Sequence, residues 1–193
     1  MLSSPPPAVQ LYFGPGIWLQ VLSGLRPSEV QALRWSSVDF ERKQILIRSA
    51  YNNKEGQLQD HPKQDDWGTA PMPEALADFL KFLRRKPDDF VVQSEVGQML
   101  SYTTYLVAVK RVCKRAGVTV VTPHELRHSC TEMYIQAGAS AEDIRRLLNQ
   151  SSLTATARYM HRTDERLDGI AAKIGGVTPP KYDGPPLLKV VGT

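Results

Sequence analysis

Residues 122–138 read "TPHELRHSCTEMYIQAG", and within them His124-Glu125-Leu126-Arg127-His128 fits the H-E-x-x-H pattern. In a zinc hydrolase that pattern places two histidines one helical turn apart on the metal, with the glutamate as general base. It needs a helix already under way. Here Pro123 stands directly before His124, and proline is favoured at the first helical position, so the spacing predicts a helix that starts at Pro123 with Thr122 as its N-cap. Glu125 then falls third in the helix, where Thr122-x-x-Glu125 forms a capping box that satisfies two backbone N–H groups. His124 and Arg127 share the first turn, at the helix end where free N–H groups and the dipole favour an anion. The segment suits phosphate better than zinc.

Downstream, Leu126, Cys130, Met133 and Ala137 recur at helical spacing as its buried face, and Gly138 ends it. Upstream, "YTTYLVAVKRVCKRA" is a second long helix by Tyr102, Tyr105, Leu106, Val109 and Val112, stopped by Gly117. A third spans 74–86 by Leu76, Phe79, Leu80 and Leu83. Nearer the start, "GIWLQVLSGL" reads as a short buried helix ending near Gly24, and Pro27 opens another in "PSEVQALRW" with Glu29 in its favourable first turn. "QILIRSAY" is an apolar, β-branched run of strand length, "TAPMP" is its partner strand, and "NNKEGQLQDHPKQDDWG" is a polar loop between them. Ile144, Leu147 and Leu148 mark a short helix. "TATARYMHR" and "DERLDGIAAKI" give one or two more.

The expectation is an α+β chain, mainly α-helical, with a small antiparallel sheet of two or three strands. It divides into an irregular segment 1–13, a folded domain 14–175 and a Pro/Gly-rich tail 176–193. With 193 residues, 41% of them hydrophobic, the chain has enough apolar material for a real core. No apolar run approaches the roughly 20 residues a membrane helix needs, and the opening "MLSSPPPAVQ" lacks signal-peptide character, so a cytoplasmic location is expected. Cys113 and Cys130 lack Cys-x-x-Cys spacing and are read as buried free thiols. Twenty-four Lys and Arg against 20 Asp and Glu leave a net charge of +4, compatible with nucleic acid.

Four pieces, "SGLRPSEVQALRWSSVDF", "HPKQDDWGTAPMP", "HELRH" and "LLNQSSLTATARYMH", resemble in order and spacing the catalytic boxes of the tyrosine recombinases, the phage integrase family, over residues 14–173. The resemblance implies an integrase-like catalytic core and site-specific DNA recombination. A tyrosine attacks a phosphodiester, forms a 3′-phosphotyrosyl link and frees a 5′-hydroxyl, with no metal or other cofactor. Chemistry states what that requires. A tyrosine titrating near pH 10 must lose its proton, and the transition state's added negative charge must be held by cations.

By the same resemblance Arg26 and Arg127 are the two arginines that grip the non-bridging phosphate oxygens, a paired geometry lysine cannot copy. His124 matches the general acid/base and His128 and Glu29 are supporting residues. Lys63 sits where the family carries the lysine that protonates the leaving 5′-oxygen and touches the neighbouring base, with Lys54 a competitor nearby. Tyr159, flanked by "TATAR" and "HR", is the nucleophile; Tyr102, Tyr105 and Tyr134 lie on apolar stripes and are read as core. The chain departs from the pattern at Gly68, where an arginine is usual, and at Gln150, where a histidine or tryptophan is usual. A glutamine amide still donates a hydrogen bond but carries no charge.

Double-stranded DNA is the implied partner, bound by a tetramer of the chain together with accessory DNA-bending proteins. Full members of the family add an N-terminal helical clamp, whereas about 13 residues precede the resembling region here. The expectation is therefore either a fragment or grip on DNA from another component. Two other readings stay open at this point: a catalytically impaired DNA-binding relic of the family, favoured by Gln150, and a zinc hydrolase using His124 and His128 with Glu142 as third ligand.

Overall fold

The computed structural model describes residues 7–60, 68–148 and Ala171. Helix α1 (Pro7–Ser23) is followed by α2 (Pro27–Ala32), strands β1 (Val38–Asp39), β2 (Gln44–Ile47), β3 (Ser49–Asn52), β4 (Gln57–Asp60) and β5 (Gly68–Pro71), then α3 (Glu74–Leu83), α4 (Tyr102–Ala116), α5 (Pro123–Gln136) and α6 (Ala141–Leu147). The α+β, mainly helical expectation holds.

The core is mainly helical. Leu19 and Leu22 of α1, Tyr105 and Val109 of α4, and Leu126, Cys130 and Tyr134 of α5 belong to one buried cluster with Leu76 and Leu80 of α3. Each fully buried leucine contributes roughly 2 kcal/mol by leaving water. The Tyr134 hydroxyl donates to Leu22 O at 3.2 Å, so α5 lies against α1 with its polar atom satisfied. A methyl at Gly16 would stand 2.9 Å from the Tyr105 ring and hydroxyl, so only glycine lets α1 and α4 meet this closely. Both cysteines are buried free thiols, as read from their spacing.

Strands β1, β2 and β5 form one antiparallel sheet in that order, with Ile45 opposite Val38 and Ala70, and "TAPMP" does supply the partner of "QILI". Ile45 and Ile47 face the core while Gln44 and Leu46 are half-buried, the alternation of a one-sided sheet. Beyond Ile47 the structure departs from the single strand expected over "QILIRSAY". The strand is interrupted at Arg48, and β3 leaves to pair with β4 as a separate hairpin. β4 lies inside the segment read as loop. Its "QLQD" lacks an apolar face because this hairpin is exposed, with Leu58 at 42%.

Three other boundaries differ. α1 begins at Pro7 and so takes in the second half of the segment expected to be irregular. α2 stops at Ala32, because Leu33 turns extended and its carbonyl accepts from Val91 N at 2.9 Å, tying the following residues to the 87–91 loop. On the long helices the stripes are narrower than their periodicity: Val112 is exposed and Tyr102, Met133 and Ala137 are half-buried, whereas Tyr105 and Tyr134 are fully buried. No described helix is long and apolar enough to cross a membrane.

Candidate phosphate-handling site

Arg26 closes the turn between α1 and α2. The turn needs Gly24 at φ +69°, a conformation that costs other residues roughly 1 kcal/mol or more. Arg26 itself is extended, as a residue before proline must be, and Pro27 starts α2. Three residues on, the Glu29 carboxylate folds back: Arg26 N donates to Oε2 at 2.6 Å and Arg26 Nη1 to Oε1 at 3.4 Å. Only this half of a capping box is available, since a guanidinium cannot accept from the helix.

Arg127 reaches the same carboxylate from α5. Its Nη1 lies 3.7 Å from Glu29 Oε2, and its Nη2 donates to Leu148 O at 2.6 Å, holding the end of α6. Glu29 is only 5% exposed and Arg127 9%, while the Arg26 side chain is 45% exposed. Burial draws the Arg127 guanidinium below its ordinary range, Glu29 opposes that and the nearby charge of Arg26 reinforces it. The group stays charged, because a guanidinium keeps its proton in proteins. One buried carboxylate thus gathers both expected arginines.

His124 and His128 are exposed on the first turns of α5. The capping box ahead of them is formed: Thr122 N donates to Glu125 Oε2 at 2.6 Å, and Glu125 N donates to Thr122 Oγ1 at 3.4 Å. Those bonds to Thr122 hold the Glu125 carboxyl below its usual range, with smaller help from the charges of His128 and Lys110. A carboxylate so engaged is poorly placed as a hydrolase base. Glu142, the suggested third zinc ligand, is taken up by Arg145 and Arg146. Among the described residues no group of three His, Cys, Asp or Glu is arranged to hold a metal.

Lys63, Gln150 and Tyr159 lie outside the described residues. Lys54 is exposed at the turn of the β3–β4 hairpin, its N–H donating to Asn52 Oδ1 at 3.0 Å. That hairpin is fastened to α2 by Gln31, which donates to Leu100 O at 2.8 Å and accepts from Asn53 Nδ2 at 3.2 Å. Sequence reasoning passed over Gln31 and also over the outer face of α4, where Lys110, Arg111, Lys114 and Arg115 are exposed. The signal was present as four basic residues within six positions of one amphipathic helix.

The sequence profile of the phage integrase family matches residues 9–166. The chain is 33% identical over 151 residues to a protein named tyrosine recombinase XerA from Thermococcus onnurineus, an alignment covering 75% of this chain and 49% of that one. It spans about half the length of the curated relatives it matches. The fold superposes on the integrase from mycobacterium phage Brujita with a TM-score of 0.66 at 17% identity, over 95% of this chain and 62% of that one. It also superposes on the Tn1549 transposon integrase, solved in complex with a circular intermediate DNA, with a TM-score of 0.61 at 21% identity, over 87% of this chain and 59% of that one.

Proposed function

This chain belongs to the phage integrase family, the tyrosine recombinases, and on that footing we propose that it cuts and rejoins double-stranded DNA at a specific site through a 3′-phosphotyrosyl intermediate. The observation that carries the reading is the Glu29 carboxylate shared by Arg26 and Arg127. Two guanidiniums from helices distant in sequence converge there, and a phosphodiester needs paired donors on its non-bridging oxygens.

In the proposed reaction Tyr159 attacks the phosphorus, and His124, at the exposed start of α5, takes the phenolic proton. Arg26 and Arg127 bind the two oxygens that gain charge in the transition state. Lys63 protonates the departing 5′-oxygen, so that the P–O bond breaks without releasing an alkoxide. Gln150 adds a neutral hydrogen-bond donor, while His128 and Glu29 support the arginines. Rejoining reverses the steps: a 5′-hydroxyl attacks the phosphotyrosine and the tyrosine leaves. The cations are side chains, so the chemistry is metal-independent in this reading and uses no other cofactor.

The exposed basic residues of α4 support DNA as the partner. Lys110 lies close enough to act on the Glu125 carboxyl, which puts that face beside the start of α5. Phosphate contacts made there would give an affinity that falls steeply with salt. Assembly as a tetramer on DNA, with accessory bending proteins, and a DNA-associated place in the cytoplasm complete the proposal.

The test is a nicked suicide substrate. The protein is incubated with nicked duplexes carrying candidate sites, denatured, and examined for a covalent DNA adduct beside Tyr159→Phe. An adduct that the variant lacks supports the reading. Binding of DNA without an adduct from the parent on any site, with Gln150→His restoring one, identifies a catalytically impaired relic instead.

A further inference from the structure

We propose that Gln20 is a positioning residue for the phosphate site, because its single amide fixes the backbone immediately ahead of both Arg26 and His124. Gln20 is fully buried in α1. Its Nε2 donates to Pro123 O at 2.9 Å and to Leu25 O at 3.4 Å. Leu25 is the residue before Arg26, and Pro123 the residue before His124. By helical pairing, Pro123 O is also the carbonyl that faces the N–H of Arg127. One side chain therefore touches the backbone that leads into three of the residues proposed to handle the phosphate.

The amide does not choose its orientation freely. The Tyr105 hydroxyl donates to Gln20 Oε1 at 2.7 Å, which forces the Nε2 donors toward the two carbonyls. Tyr105 is itself fully buried, and the bare Cα of Gly16 lets its ring approach. A glutamine with only a packing duty would be satisfied by any buried partners. Here both donors end on the α1–α2 turn and on the first residue of α5, whose separation sets the distance between Arg26 and His124. Misplacement of catalytic groups by about 1 Å can cost on the order of 10²-fold in rate.

This inference rests on the strand-cleavage reading above, and its test separates the two. Gln20→Met keeps length and volume and removes the hydrogen bonds; Tyr105→Phe removes only the hydroxyl that orients the amide, and decides by the same readouts if Gln20→Met does not fold. Adduct formation is timed on saturating nicked DNA, the half-saturating DNA concentration is measured, and orthovanadate binding is followed by calorimetry. The expected result is a roughly tenfold slower adduct rate with unchanged half-saturation and weaker orthovanadate binding. In an Arg26→Ala background the further loss should shrink to the part that acts through His124 and Arg127, since a positioning residue cannot misplace an absent guanidinium. A lower melting temperature with rate and orthovanadate affinity at parental values overturns the proposal, as does an undiminished loss in the Arg26→Ala background. A parent that forms no adduct overturns the cleavage reading alone; orthovanadate affinity then decides for Gln20, weakened binding upholding it and unchanged or absent binding overturning it.

Discussion

Glu29 and Arg127, on α2 and α5, form an ion pair at 3.7 Å in which both partners are nearly excluded from solvent, and the same carboxylate accepts the Arg26 N–H. A carboxylate in that position does two things. It offsets the desolvation of Arg127, and it holds two like charges closer than they would otherwise stay.

Glu29→Gln tests the charge, because the amide oxygen can still accept from Arg26 N. Leaving Arg127 buried without its counter-ion should cost about 2 kcal/mol of stability. Adduct formation should slow by at least about tenfold as the guanidiniums separate. Urea unfolding and single-turnover kinetics check the two parts independently. A stability loss with parental kinetics would make Glu29 a purely structural residue.

The Arg26 turn depends on Gly24. Alanine there must adopt φ near +69° and place its Cβ 3.4 Å from Cys130 Sγ and 3.6 Å from Leu147 Cγ. The left-handed conformation alone costs roughly 1–2 kcal/mol. Gly24→Ala should therefore lower the unfolding free energy by that amount, seen as a lower urea midpoint with an unchanged slope. Cys130→Ala in the same chain should recover none of the backbone part.

Acid should loosen α6. Arg145 chiefly, and Arg146 after it, push the Glu142 carboxyl down to about 2 from its ordinary 4.5. A carboxyl whose folded pKa is depressed contributes its stability above the unfolded value and loses it as pH falls through the folded one. The contribution is then complete above about pH 5 and disappears toward pH 2. Glu142→Gln should melt lower than the parent at pH 6, and the two melting temperatures should converge as pH approaches 2. Salt should shrink the difference at pH 6, because the pair is exposed. The consequence reaches the site, since α6 ends at the Leu148 carbonyl held by Arg127.

The legible parts of this chain were those specified within a few residues. Thr122, Pro123, Glu125 and Gly138 set both ends of α5 by local hydrogen-bond chemistry, and the capping box formed as read. Arg26 and Arg127 were found through ordered motifs, and the fold brings them to one carboxylate. Glu29 was read as a first-turn acid and a supporting residue, but its pairing with Arg127 was not, because that depends on how α2 and α5 dock. Gln20 and Gln31 escaped notice for the same reason: a buried glutamine has the same letter as a surface one, and its partners are backbone carbonyls from distant segments. β4 was missed because an exposed hairpin strand needs no apolar alternation.

Gln150 offers the sharpest change of chemistry. Arg127 anchors the carbonyl of Leu148, two residues before it, so the chain leading to Gln150 starts from the proposed phosphate site. In the proposed reaction its amide gives one neutral hydrogen bond to a phosphate oxygen. An imidazolium at that position would give a charged one, about twice as strong, and a single donor to a developing oxyanion is worth on the order of 10²-fold in rate. Gln150→His should therefore speed adduct formation by about tenfold or more at pH 6. The gain should fade as pH rises through roughly 6.5, where a free imidazole loses its proton. Gln150→Ala should slow the reaction at every pH, with no such profile. Parental rates from both variants across that range would place Gln150 away from the phosphate and leave the charge to Arg26 and Arg127 alone.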